Sequence, residues 1–212
     1  MLKRLFRGLS RQAGADHAQP TQPPITIVSG LPRSGTSLMM RMLEAGGIPP
    51  LTDHERTADE DNPGGYYEFE RVKRLEKGDT VWLATTTGKA VKVISVLLRH
   101  LPPTYQYRVI FMERDLGEVL ASQRKMLVNR QEESADVDDA QMAALFARHL
   151  QEIRHWLSTQ SNMTVLYVSY SDLLAAPTPL VSAVNSFLGG TLNTSAMLTV
   201  IDPTLYRNRQ ES

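Results

Sequence analysis

The 212-residue chain has no cysteine, and that one absence excludes disulfides, cysteine–zinc sites and thiol nucleophiles together. It also has no net charge, with 23 basic side chains against 23 acidic ones, so the uncompensated Lys and Arg surface that nucleic acid demands is missing. No apolar run approaches the ~18 residues of a membrane span. What is present is a 42% hydrophobic composition, enough for one globular domain with a full core. A reducing compartment is permitted, and a cytoplasmic location is the expectation.

Residues 1–24 read as a flexible basic tail. Lys3, Arg4, Arg7 and Arg11 alternate with Leu2, Leu5, Phe6 and Leu9, without the apolar core of a secretory signal. Gln19-Pro20-Thr21-Gln22-Pro23-Pro24 then reads as a linker, because its prolines suit neither a helix interior nor a strand ladder.

The chain is organised around residues 25–37. A β-branched run, Ile25-Thr26-Ile27-Val28, stops at Gly30, and Leu31-Pro32-Arg33-Ser34-Gly35 forms a tight loop. Thr36-Ser37 then opens a helix through Leu38-Met39-Met40-Arg41-Met42-Leu43. Strand, glycine-bounded loop and helix make a phosphate cradle, with backbone N–H groups and a positive helix end aimed at an anion. Gly30 and Gly35 keep the Walker A spacing, but Thr36 stands where that motif has its lysine, and Arg33 is the loop's cation.

Further strands are predicted over 88–94, 107–112 and 163–168. Tyr107-Arg108-Val109-Ile110-Phe111-Met112 is almost continuously apolar, as a parallel strand covered on both faces is, and it ends at Glu113-Arg114-Asp115. Helices are predicted near 71–75, at 96–101, over 116–131, from about Asp138 to Gln160, and from Pro177 to Leu188, where Gly189-Gly190 stops the last. His149 and His155 read as surface residues on the long helix, whose apolar stripe is Met142, Phe146, Leu150, Ile153 and Leu157. Strands separated by helices imply a three-layer α/β/α fold with a mainly parallel sheet. Ligands bind such sheets at the carboxyl ends of the strands, where Arg114 falls.

Two more stretches then gain meaning. Arg114 ends a strand, and Ser122 follows about two helical turns later, so both can reach one phosphate. Tyr170 lies just past the fourth strand, in Tyr167-Val168-Ser169-Tyr170-Ser171-Asp172-Leu173, placed to line a base pocket. Together these stretches resemble the P-loop sulfotransferases, whose donor is 3′-phosphoadenosine 5′-phosphosulfate (PAPS). Pro32, Arg33, Ser34, Gly35, Thr36 and Ser37 are similar to that family's 5′-phosphosulfate loop, and Arg114 with Ser122 to its 3′-phosphate motif. Tyr170-Ser171-Asp172-Leu173 resembles the Tyr-Glu-Asp-Leu segment near the adenine. Lys92 falls where cytosolic members carry Lys-Thr-His, but Val93 and Ile94 replace the Thr and His. The resemblance implies residues 25–212 as a single P-loop domain, PAPS as co-substrate with the 3′,5′-bisphosphate (PAP) as product, and no metal.

The missing histidine leaves the identity of the catalytic base open. Glu55 matches by its distance downstream of Arg33 the glutamate that serves in tyrosylprotein and heparan-type members. Glu68, in Gly65-Tyr66-Tyr67-Glu68-Phe69, is the second candidate for its apolar neighbours, and Asp53, His54 and Asp59 stand behind them. Near the C-terminus, Arg207 or Arg209 is a candidate for a further phosphate contact. The expected reaction moves a sulfuryl group to a hydroxyl or amine of an acceptor that no motif names, with Arg33 stabilising the leaving phosphate. Two other readings stay open: a P-loop kinase or NTPase, with Val109 to Glu113 as its Walker B strand, and a non-catalytic nucleotide-binding module. Neither nucleic acid nor a transmembrane segment is expected, and the oligomeric state is not legible.

Overall fold

The computed structural model describes residues 23–53, 55, 65–129 and 138–202. The basic tail, His54, Asp59, the end of the helix predicted over 116–131 and the Arg207–Arg209 stretch lie outside them. Four strands carry the architecture: β1 (Ile25–Gly30), β2 (Ala90–Lys92), β3 (Tyr107–Glu113) and β4 (Met163–Ser169). They form one all-parallel sheet in the order β2-β1-β3-β4.

Alternation along the strands divides the core in two. Ile27 pairs with Val91 and Val109, and these face one apolar layer with Phe111, Leu98, Trp82, Ile153 and Leu157. Val28 pairs with Ile110, and these face the other layer with Met39, Met42, Leu43, Leu173, Val181 and Val184. All six residues of β1 are buried, as a central parallel strand requires.

Among the described residues six α-helices flank the sheet: α1 (Thr36–Ala45), α2 (Leu116–Asn129), α3 (Asp139–Ser158), α4 (Tyr170–Ala175), α5 (Pro177–Leu188) and α6 (Thr194–Thr199). The core residues of α1, α4, α5 and α6 lie on one face, and those of α3 on the other with the 3₁₀ segments of 70–101. Pro177 presets the φ of the first turn of α5, and Gly189, at φ 115°, ends it in the left-handed conformation that glycine adopts without strain. No helix among the described residues is long and apolar enough to cross a membrane.

Several expectations need correcting. The helices predicted near 71–75 and 96–101 are 3₁₀ helices, Glu70–Lys77 and Ser95–His100. In the first, Arg71 and Arg74 both reach the Asp79 carboxylate beyond the helix end, which draws the last turn tight. The strand predicted over 88–94 pairs only at Ala90–Lys92, because Thr86 O and Pro49 O take the N–H groups of Lys89 and Ala90. His149, expected at the surface, is half-buried. Its Nε2 lies 2.8 Å from the buried Ser95 hydroxyl, tying α3 to the segment after β2.

The strand order matters for position. The chain leaves β1 through α1 on one face, whereas β3 is followed by α2 and α3, with α3 on the other. The crevice between the carboxyl ends of β1 and β3 is therefore a topological switch point, where open α/β sheets bind ligands.

Candidate functional site

The loop after β1 turns tightly, with Ser34 N–H donating to Leu31 O at 3.2 Å. Gly30 has no room for a side chain: a Cβ there would lie 2.4 Å from Ser34 Oγ and 2.6 Å from Met112 O. Arg33 has φ 69° and Gly35 φ 98°, so the chain passes twice through the left-handed region. For Arg33 that conformation costs on the order of 1 kcal/mol, a strain that clusters at ligand-binding loops. Ser34 Oγ donates to Leu31 O at 2.7 Å and closes the turn from inside. Pro32 is exposed at the crest, Ser34 and Thr36 are buried, and Ser37 is half-buried. The first turn of α1 has no acidic residue, so its positive end stays uncompensated by its own helix.

The end of β3 meets this loop. Arg114 Nη1 donates to Arg33 O at 3.0 Å, and Arg33 Nε donates to Ser122 Oγ at 2.9 Å. The structure thus brings Arg33, Arg114 and Ser122 into one cluster. Arg114 is also held by Glu118, Nε to Oε2 at 2.9 Å, with both side chains under a tenth exposed. The Arg114 guanidinium lies 4.5 Å from the centroid of the Tyr170 ring. Tyr170 itself starts α4, and its ring fills the space where a Cβ on Gly35 would stand, 2.4 Å from Cδ2. Burial pushes its phenol pKa up, opposed by the charges of Arg114, Arg33 and Arg41. Sequence reasoning missed Glu118, although its spacing four residues after Arg114 on a helix was a signal for the pair.

A second group gathers at the end of β2. Lys92 Nζ donates to the Tyr66 carbonyl and lies 3.8 Å from Glu68 Oε1. Ser37 Oγ reaches the same Tyr66 carbonyl at 3.4 Å, which connects this group to α1. The Glu68 backbone is pinned from the other side, its carbonyl accepting from Thr52 Oγ1 at 2.8 Å. Tyr67, between them, takes φ 52° and donates its hydroxyl to Glu44 Oε2 at 2.7 Å. Burial first, then the Glu44 hydrogen bond and charge, push its phenol pKa up to about 12.

The carboxylate candidates separate here. Glu55 is exposed, and its backbone N–H donates to Asp53 Oδ1 at 3.2 Å. Asp53 also accepts from Glu70 N at 2.6 Å, so it caps the following 3₁₀ helix. Glu68 is 23% exposed and stands beside an ammonium group that is 9% exposed, rather than among the apolar neighbours expected for it. Glu113, the acidic residue of the Walker B-like strand, is engaged by Arg154 of α3. A narrow cleft lined by Leu31, Ser34, Met112, Arg114, Leu150 and Arg154 runs between the loop and α3. Among the described residues, no three His, Asp or Glu side chains are grouped to hold a metal ion.

Over residues 23–212 the chain matches a family model described as a sulfotransferase domain. Its fold is similar to that of the sulfotransferase domain from the Synechococcus PCC 7002 olefin synthase, with TM-score 0.55, 16% identity and 90% of each chain covered. It is similar also to the sulfotransferase domain from the curacin biosynthetic pathway, with TM-score 0.51 and 17% identity over 86% of this chain and 79% of that one. A third similar structure is sulfotransferase STF1 from Mycobacterium tuberculosis H37Rv, with TM-score 0.53 and 17% identity over 83% and 71%. No curated protein matches the chain.

Proposed function

This chain belongs to the sulfotransferase domain family, and from that premise we propose that it moves a sulfuryl group from PAPS to a hydroxyl or amine of an acceptor. The observation that carries the reading is the convergence of two elements on one crevice. The β1 loop, through Arg33, meets Arg114 from the end of β3 and Ser122 from α2 within hydrogen-bonding distance. A donor with a 5′-phosphosulfate and a 3′-phosphate has two anionic groups to satisfy, and this crevice offers two cationic groupings. The family membership sets the kinase reading aside.

In this reading the amides of Gly35 to Ser37 and the positive end of α1 hold the 5′-phosphosulfate, and Arg33 neutralises charge that develops on the leaving phosphate. Arg114 and Ser122 hold the 3′-phosphate. Tyr170 supports the floor of the loop and the nucleoside side. Glu68 takes the acceptor's proton as the attacking oxygen or nitrogen bonds to sulfur and the sulfur–oxygen bond to the 5′-phosphate breaks. Lys92, beside Glu68, supplies positive charge where the sulfuryl oxygens gather it. Glu68 is preferred to Glu55 because it is half-buried and paired at the crevice side of β2, whereas Glu55 is exposed. A positioned base contributes typically ~10²–10⁴-fold.

The test is release of PAP from PAPS in the presence of pooled hydroxyl and amine acceptors. PAP formation that depends on an added acceptor is the expected result. Tight PAP binding with no turnover over any acceptor class would point instead to a binding module.

A further inference from the structure

The helix that continues the phosphate loop also holds the segment that carries Glu68. Ser37 and Glu44 stand seven residues apart on α1, two turns along one face of the helix. Ser37 Oγ donates to the Tyr66 carbonyl at 3.4 Å, and Glu44 Oε2 accepts from the Tyr67 hydroxyl at 2.7 Å. Lys92 Nζ reaches the same Tyr66 carbonyl from the end of β2. Beyond Tyr67 the backbone is fixed by a different stretch. Thr52 Oγ1 and Asp53 N–H both donate to Glu68 O, at 2.8 Å and 3.4 Å, and Asp53 Oδ2 accepts from Glu70 N at 2.6 Å.

Tyr67 is the joint between these two anchored stretches, and its φ is 52°. For an aromatic residue that left-handed conformation is strained and persists only where the surroundings enforce it. A glycine would adopt it freely, and Gly65 is only two residues away, yet the joint is a tyrosine. What the tyrosine adds is a hydroxyl that ends on α1 and a ring that packs against the core layer of Val28 and Met39. Burial first, then Glu44, push the phenol up to about 12, so across the neutral range it keeps the proton that it donates. With the turn in place Glu68 Oε1 lies 3.8 Å from Lys92 Nζ. An ordinary extended φ at 67 would send the chain, and Glu68 with it, in another direction.

We propose that the Tyr67–Glu44 bond is a positioning device for the transfer reaction, holding the turn that sets the Glu68 carboxylate in register with the phosphate loop. The inference rests on the reading of Glu68 as the base, and Tyr67 and Glu44 act through that residue rather than on donor or acceptor. Proton transfer needs the carboxylate within hydrogen-bond reach of the acceptor's hydroxyl or amine while that group faces sulfur. A displaced base therefore costs rate and leaves donor affinity alone. Tying the turn to α1 fixes the base to the same helix whose first turn belongs to the loop.

The experiment measures PAP release from PAPS with the pooled hydroxyl and amine acceptors, and PAP affinity by calorimetry, for the intact chain and its variants. Tyr67→Phe and Glu44→Ala each break the bond and are expected to lower turnover about tenfold, with PAP affinity within about twofold of wild type. Glu44→Gln keeps an oxygen that accepts from the phenol and is expected to retain most of the turnover. Tyr67→Phe combined with Glu68→Gln is expected to be no slower than Glu68→Gln alone, since the turn then has no base to place. A further loss of the same size in that background overturns the proposal, by showing that Tyr67 acts otherwise than through Glu68. Unchanged turnover in both Tyr67→Phe and Glu44→Ala overturns it too. PAP affinity that falls in step with turnover, with a lower unliganded thermal midpoint, makes the bond a structural brace and does the same. No PAP release by the wild type, or full turnover by Glu68→Gln, is a separate result: it removes the reading of the reaction or of the base, and this inference with it.

Discussion

Arg33 Nε and Ser122 Oγ are 2.9 Å apart, a bond that joins the loop after β1 to a buried position on α2. Two residues far apart in the chain thus share one electrostatic environment. Arg33→Ala is expected to leave the fold intact and abolish sulfuryl transfer, since a charge-assisted contact is worth ~1.5–3 kcal/mol in binding and more in a transition state. Turnover at saturating PAPS is the measurement, and an unchanged rate would remove Arg33 from the reaction.

Ser122→Ala probes the other end of that bond. It should weaken PAP by an order of magnitude and adenosine 5′-phosphate hardly at all, if Ser122 serves the 3′-phosphate. Calorimetric titration of both nucleotides decides it, and equal losses would refute the assignment.

The buried pair of Arg114 and Glu118 makes a prediction about stability. Glu118→Ala leaves a guanidinium under a tenth exposed without its carboxylate, a change that typically costs ~3–5 kcal/mol. Urea denaturation should register that loss. Arg114→Ala combined with Glu118→Ala should be less destabilising than the two single losses added, because the second substitution removes a charge already stranded.

The two glutamates give opposite kinetic expectations. Glu68→Gln should keep PAP affinity and lower turnover by ~10²–10⁴-fold, and Glu55→Gln should leave turnover within about twofold. If the exposed Glu55 proves essential and Glu68 does not, the base has been assigned to the wrong side of the segment.

His149 bears on pH dependence. Burial, reinforced by the positive charge of Arg99, holds its imidazole below the ordinary value of 6.5, while Glu152 acts in the opposite sense. The folded state therefore favours the neutral ring. The contribution is complete above the unfolded value near 6.5 and is lost as pH falls through the lower folded value. Unfolding free energy measured from pH 7.5 down to 5 should decline, and His149→Gln should flatten that part of the decline. An identical slope in the variant would show that other groups cause it.

Much of this architecture was legible from residue order. Ile25 to Val28 and Tyr107 to Met112 carry the apolar, β-branched pattern of buried strands, and glycines and prolines mark where elements stop. The three-layer parallel fold followed from those signals. The 3₁₀ geometry of 70–77 was not legible, because it depends on the tertiary tie of Arg71 and Arg74 to Asp79. The short pairing of β2 and the helices α4 and α6 were missed for a similar reason: such brief elements are decided by neighbours rather than by periodicity. At the site, the loop and the Arg114–Ser122 pair stood out by spacing. Glu68 beside Lys92 could not, since a strained turn at Tyr67 brings the two together.

The parallel order of the sheet has a consequence for how the molecule assembles. No two strands are joined by a hairpin, so every pairing requires a crossover and the closing of a long loop. β1 is synthesised first, yet its longest partner, β3, emerges only after the whole of 31–106. Until β3 docks, Gly30 has no Met112 to pack against and Arg33 has no Arg114 beneath its carbonyl. The shape of this loop is therefore a late product of folding, and a nascent chain ending before Tyr107 carries the full loop sequence without the contacts that fix it.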